Sequence, residues 1–186
     1  VLLLVCAAPG RLLPTIRSRC RRLRLAPLAD AAMTALLARA LPDLAEPERD
    51  RLLTLAEGAP GRALLLAEDE GLAIAALVED VLASLPALPP ARAYEVADRL
   101  GRAETAFSTF MTLLRASLAS ALRETLRGRA DPAQERLVAL RPLAAWGDVW
   151  HGLTRLQGET EGFALDKRQA IVTGLALLAS PAQGPA

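Results

Sequence analysis

Val1-Leu2-Leu3-Leu4-Val5-Cys6-Ala7, closed by Pro9-Gly10, leads into Leu13-Pro14-Thr15-Ile16-Arg17-Ser18-Arg19-Cys20-Arg21-Arg22-Leu23-Arg24-Leu25. An unbroken apolar run of that length suits a central strand of a parallel sheet covered on both faces. One strand cannot make a sheet, so the reading expects the remaining strands upstream and a chain that begins mid-domain. The absence of an initiator Met agrees with this. A short helical turn is expected near residues 12–16, after the Pro9-Gly10 break. Arg22-Leu23-Arg24-Leu25 then alternates with period two, the pattern of a half-buried strand, and Pro27 closes it.

Outward from this stretch the period becomes helical and stays so. Met33, Leu36, Leu37 and Leu41 form one apolar stripe, ended at Pro42. Glu46-Pro47-Glu48 opens a second helix, with acids at its positive end and Pro near its first turn; Leu52, Leu53 and Leu55 bury it and Gly58 stops it. A third begins at Pro60-Gly61, making a three-helix unit over 26–70. Ile74, Leu77, Val78, Val81, Leu82 and Leu85 describe the next amphipathic helix, and Pro86, Pro89 and Pro90 break the chain after it. A shorter helix follows at 91–101. Phe107, Met111, Leu114, Leu118, Leu122 and Leu126 mark a helix of about six turns, ended by Gly128 and Asp131-Pro132. Leu143, Trp146, Trp150 and Leu153 lie on another, entered at Pro142. Asp166 is expected to cap a last helix through Leu178, with residues 181–186 as a frayed tail. The expected fold is mainly α: one or two strands ending an α/β core at 1–25, a three-helix unit at 26–70, and an all-α domain at 71–186.

Composition agrees. Ala and Leu supply 38 residues each of the 186, and charged residues make up 23%, too apolar and too helix-prone for a disordered chain. Aromatics at 3% exclude a base-stacking platform for single-stranded nucleic acid. The net charge of +1 hides a segregation: Arg11, Arg17, Arg19, Arg21, Arg22 and Arg24 all precede the first acid, Asp30. Cys6 and Cys20, without a CxxC, make neither a zinc knuckle nor a disulfide framework and read as buried thiols. No apolar run approaches the roughly 20 residues of a membrane helix. The apolar opening has no basic region before it and no small residue before Cys6, so it does not read as a signal peptide.

The chemistry lies in Leu13–Cys20, a turn after a strand that presents arginines with no acid nearby. A guanidinium there gains only by meeting an anion, and its planar fork suits phosphate oxygens. A solvated surface cluster in an Arg-rich proteome is the plainer alternative, since 21 of the 22 basic residues are Arg and only Lys167 is Lys. Leu13-Pro14-Thr15-Ile16-Arg17-Ser18-Arg19-Cys20 resembles, position by position, the segment that ends the AAA+ module of bacterial DNA polymerase III clamp-loader subunits. There a sensor-1 strand leads into an arginine-finger triplet, here Ser18-Arg19-Cys20. The resemblance implies that Arg19 reaches the ATP of a neighbouring subunit and stabilises the transferring phosphoryl group in trans. It also implies a helical lid at 26–70 and a helical collar, or oligomerisation domain, at 71–186.

Glu57-Gly58-Ala59-Pro60-Gly61-Arg62-Ala63-Leu64 is similar to the family's sensor-2 segment. ATP-hydrolysing members carry Arg three residues after the first Gly, where this chain has Gly61; the arginine stands one residue on, at Arg62, about 100° away around a helix. Arg62 therefore reads as an exposed helix-start arginine. Ala7-Ala8 also lacks the hydroxyl of hydrolysing relatives. Both departures are similar to the non-hydrolysing delta-prime branch. A weaker resemblance to the last collar helices runs from Trp150 through Leu177, including Leu165-Asp166-Lys167-Arg168-Gln169. What the resemblance implies is a non-catalytic, cytoplasmic subunit of a nucleotidyltransferase complex. Its partners would be the gamma/tau and delta subunits and, through them, the sliding clamp and primed DNA. ATP and Mg would sit on the neighbours, any zinc module upstream, and no cofactor or metal in this segment. The competing readings are an ATP-hydrolysing gamma/tau-type subunit and a non-enzymatic helical adaptor that binds nucleic acid through its arginines.

Other candidates read as structural. His151 has no patterned nucleophile around it; Trp146 and Trp150, four apart, read as core anchors; Glu68-Asp69-Glu70, Glu159 and Glu161 read as solvated loops or helix ends. Neither a GxxxxGK[ST] loop nor a paired-acid magnesium motif occurs.

Overall fold

The computed structural model describes residues 2–6, 10, 12–68, 70–101 and 105–180. Among them it holds ten α-helices and no strand. The strands expected at 1–7 and 22–25 are the main difference: Leu2–Cys6 and Arg22–Leu25 have no regular secondary structure. A strand exists only through its ladder to a neighbour, and no neighbouring segment pairs with either. Their apolar side chains are uncovered: Leu3, Val5, Leu23 and Leu25 are all exposed. The thiols expected in a core are exposed as well, at Cys6 and Cys20, because nothing packs over these segments.

The helical turn expected at 12–16 is a six-residue helix α1, Pro14–Arg19, started by Pro at its first turn and burying nothing. The helices α2 (Asp30–Ala40), α3 (Glu46–Ala56) and α4 (Pro60–Ala67) follow and pack on one another. Met33, Leu37, Leu52, Ala56, Ala63 and Leu66 are their buried residues. Pro47 and Pro60 occupy the first turns of α3 and α4, where the missing N–H costs no hydrogen bond.

α5 (Gly71–Ala83) starts hard against the end of α4. A Cβ on Gly71 would stand 2.5 Å from the Leu66 carbonyl oxygen and 2.6 Å from that of Leu65, so only glycine lets the two helices meet so closely. α6 (Pro90–Leu100) comes after the proline break. α7 (Ala106–Leu126) is the central rod: its buried residues run from Ala106 to Ala121, and it packs against α5, α6, α8 and α9. α9 (Leu143–Gly162) and α10 (Lys167–Ala179) complete the body, with α10 seated on α6 and α9. The core runs without interruption from Met33 to Leu178.

Two termini are set by side chains. The Asp166 carboxylate accepts from the Arg168 and Gln169 amides at 2.8 and 3.1 Å, the N-cap expected of it. Asp131, read as part of a helix stop, instead starts a further helix, α8 (Pro132–Ala139). It accepts from the amides of Ala133 and Gln134 at 2.8 Å each, while the Gln134 side chain accepts from the Asp131 amide at 3.1 Å. That reciprocal pair satisfies donors that the helix itself cannot. Among the described residues no helix is long and apolar enough to cross a membrane.

Candidate functional site

The Ser18-Arg19-Cys20 triplet lies at the end of α1. Arg17 and Arg19 fall in its last turn, where cations are favoured by the helix dipole, and Cys20 leaves it in an extended conformation (φ −106°, ψ 133°). The Ser18 hydroxyl donates to the Thr15 carbonyl at 3.2 Å, so it serves the helix and is not aimed outward. Residues 15–29 are exposed throughout. Among the described residues no carboxylate pairs with Arg17, Arg19, Arg21, Arg22 or Arg24, whereas Arg62, Arg92, Arg123 and Arg168 each meet one. Five guanidiniums within eight residues thus stand in solvent without a counter-charge. Such a group has its full binding capacity free for phosphate. Arg11 and Ala7-Ala8 lie outside the described residues.

The second sequence candidate is arranged differently. Gly61 opens α4 with nothing within 4 Å of where a Cβ would stand, so a side chain at this position would project into open space. Arg62, expected to be exposed, is turned inward with its side chain 21% exposed. Its Nη1 donates to the Leu55 carbonyl at 3.4 Å and stands 3.6 Å from the Glu57 carboxylate. The physical reason is that α3 ends beside the start of α4 and offers both a free carbonyl and an acid.

Glu57 is a residue that sequence reasoning passed over. It holds a left-handed conformation (φ 49°, ψ 43°) at the end of α3. For a non-glycine residue that conformation costs on the order of 1–2 kcal/mol. Its carboxylate accepts from the Ser120 hydroxyl and, at 2.8 Å, from Arg123 Nη2, both on α7. Glu57 and Arg62 border a cleft of about 820 Å³ between α3, α4, α5, α7 and α8, with Leu55, Leu82, Leu113 and Leu137 among its apolar walls. Before Gly58 a Glu reads as a solvated helix end; only the approach of α7, more than 60 residues on, makes it a junction.

The remaining candidates are structural. Trp146 is fully buried, its Nε1 donating to the Val138 carbonyl at 3.1 Å, and the Arg141 guanidinium lies over its ring at 4.5 Å. Arg141 also donates to the carbonyls of Leu178 and, at 2.8 Å, Ser180, closing the end of α10; burial holds its pKa below the ordinary arginine value. Trp150 packs partly buried under Arg115. Arg115 donates to the Gln157 side chain at 2.7 Å and to Thr154 at 3.2 Å; burial lowers its pKa, and the Glu161 charge opposes that shift. His151 is exposed, its Nδ1 2.7 Å from the Gly147 carbonyl and its ring edge-on to Trp150. Glu161 accepts from Gln157 at 3.0 Å, and Glu159 faces Arg155 at 3.9 Å. Asp69 lies outside the described residues. Among the described residues no three His, Cys, Asp or Glu side chains are gathered as metal ligands.

No protein-family model matches this chain, and no curated protein or solved structure matches it either.

Proposed function

We propose that this chain is the C-terminal portion of a delta-prime-type subunit of a bacterial clamp loader. It acts with gamma/tau and delta subunits to open the sliding clamp and place it on primed DNA in the cytoplasm. In this reading 1–25 ends the AAA+ core, 26–70 is the lid and 71–186 the collar. The observation that carries the reading is the Leu13–Cys20 match, in which Arg19 stands exposed and no carboxylate of the described residues pairs with it. Gly61 in place of the hydrolytic arginine supports the non-hydrolysing branch over gamma/tau.

The residues of this chain supply one group to the reaction. A neighbour's ATP, with its Mg, provides the phosphoryl group; Arg19 offers planar N–H donors to the oxygens on which charge gathers as that group transfers. Lysine there keeps the charge and loses the fork. The test is clamp- and DNA-stimulated ATP turnover of reconstituted complexes carrying Ala or Lys at 17 and at 19. Position-19 variants lose turnover at one neighbouring site while assembly persists. Loss at 17 alone overturns the assignment of Arg19, and no loss at either overturns the clamp-loader reading. In that case duplex binding by this chain alone, weakening steeply with salt, marks the adaptor reading instead.

A further inference from the structure

The arginine arm and the helical body are joined at an elbow made by Glu57 and Gly58. Pro27 and Leu28, where the arm ends, rest on it: the Leu28 amide donates to the Gly58 carbonyl at 2.8 Å. Gly58 is left-handed (φ +74°), and a Cβ there would stand 2.5 Å from the Leu28 carbonyl oxygen and 2.8 Å from Pro27 Cβ. Any other residue at 58 would push the arm off the turn. The Glu57 carboxylate grips α7 with two prongs, Oε1 accepting from Ser120 and Oε2 from Arg123, and Arg62 of α4 stands 3.6 Å from that same Oε2. The cleft flanks this carboxylate, so on that face the polar ties add to the packing of α4 on α5.

We infer that Glu57 is a positioning residue: it sets α2–α4, and with them the root of the arginine arm, in one orientation on α7. Glu57 also holds a left-handed backbone that a glycine or asparagine would adopt with less strain. For the proposed reaction, an inference that rests on the clamp-loader reading, the tie fixes where Arg19 starts from. Phosphoryl-transfer stabilisation depends on donors held in place before the charge develops.

The test separates the tie from the activity. In the full chain with Cys6→Ser and Cys20→Ser, spin labels are placed at Asp43→Cys, in the exposed turn after α2, and Asp148→Cys, on the exposed side of α9. The parent gives one narrow distance distribution. Glu57→Ala and Arg123→Ala broaden it, and the exchanged pair Glu57→Lys with Arg123→Glu narrows it again. Far-UV circular dichroism verifies that each variant is folded; Ser120→Ala, which removes one prong only, replaces any that is not. A parent distribution that is already broad, or one unchanged in folded Glu57→Ala, overturns the inference. In reconstituted complexes the same variants lower stimulated turnover on the order of 10²-fold with KM for ATP unchanged, and the exchanged pair restores it. Broadened distances with turnover insensitive to both Glu57 and Arg19 leave the tie standing and remove the clamp-loader reading.

Discussion

Arg19 and Arg141 carry the same guanidinium and have opposite lives. Arg19 ends a six-residue helix that buries nothing, and no described acid meets it. Arg141 lies over the Trp146 ring, and its nitrogens close the last carbonyls of α10. One group is unspent and the other is consumed by the fold. In a chain whose basic residues are almost all arginine, residue type therefore says nothing about role. What separates the two is that the carbonyls at the end of α10 already take the terminal nitrogens of Arg141.

Breaking that contrast calls for substitutions on each side of it. Arg19→Ala has the largest expected effect. At the neighbouring ATP site it lowers turnover by about 10³–10⁵, the worth of an arginine finger in trans, while the urea midpoint of this chain stays put. A multi-site ring shows a smaller bulk loss, because other sites keep their own fingers. A shifted midpoint would falsify the view that Arg19 is idle in the fold. Next comes Trp146→Ala, which empties a fully buried site and orphans the Val138 carbonyl. It costs about 3–5 kcal/mol by chemical denaturation and abolishes assembly only through unfolding.

Arg141→Ala is third. It leaves the α10 carbonyls without their donor and uncovers the Trp146 ring, for a loss of about 1–3 kcal/mol. Hydrogen exchange should quicken at the end of α10 before anywhere else in the body. An unchanged exchange pattern there would place Arg141 with Arg19 among the idle arginines.

The smallest effect is a pH dependence at the end of α7. The hydrogen bond from Arg129, with the charges of Arg129 and Arg127, holds the Glu124 carboxyl below its ordinary value. A depressed carboxyl stabilises the fold above its unfolded pKa. The contribution disappears as the pH falls through the lower folded value, so the acid side of the stability profile carries it. Carbon-13 titration of Glu124 should give a pKa that rises toward the ordinary glutamate range in Arg129→Ala, with Arg127 still holding it partly down. A titration identical in both proteins would show the pair to be ornamental.

Most helices were legible because their apolar spacing is long and regular. Phe107 through Leu126 repeats over about six turns, and Asp166 stands where a cap belongs. α8 was missed: Asp131-Pro132-Ala133-Gln134 has the spacing of a capping box with Pro at the first position, but Asp-Pro is equally a turn signal and was read as a helix stop. No strand forms among the described residues of 1–7 and 22–25, for a different reason. Period and hydrophobicity describe one strand, whereas pairing requires a second segment, and none of the described residues provides it. For the candidate site, Arg19 was visible as an unpaired arginine in a motif. Glu57 was not, because its meaning depends on Ser120 and Arg123, which sequence distance hides.

The two tryptophans of the chain report separate places. Trp146 is sealed from water in the core, whereas Trp150, one turn along the same helix, keeps part of its ring outside. Their fluorescence therefore divides without any added dye: a blue component that iodide cannot reach, and a redder one that it quenches. With Trp150→Phe the remaining emission becomes an optical gauge of the core alone. The complementary variant watches the surface of α9, where a neighbouring molecule would shield the indole from the quencher.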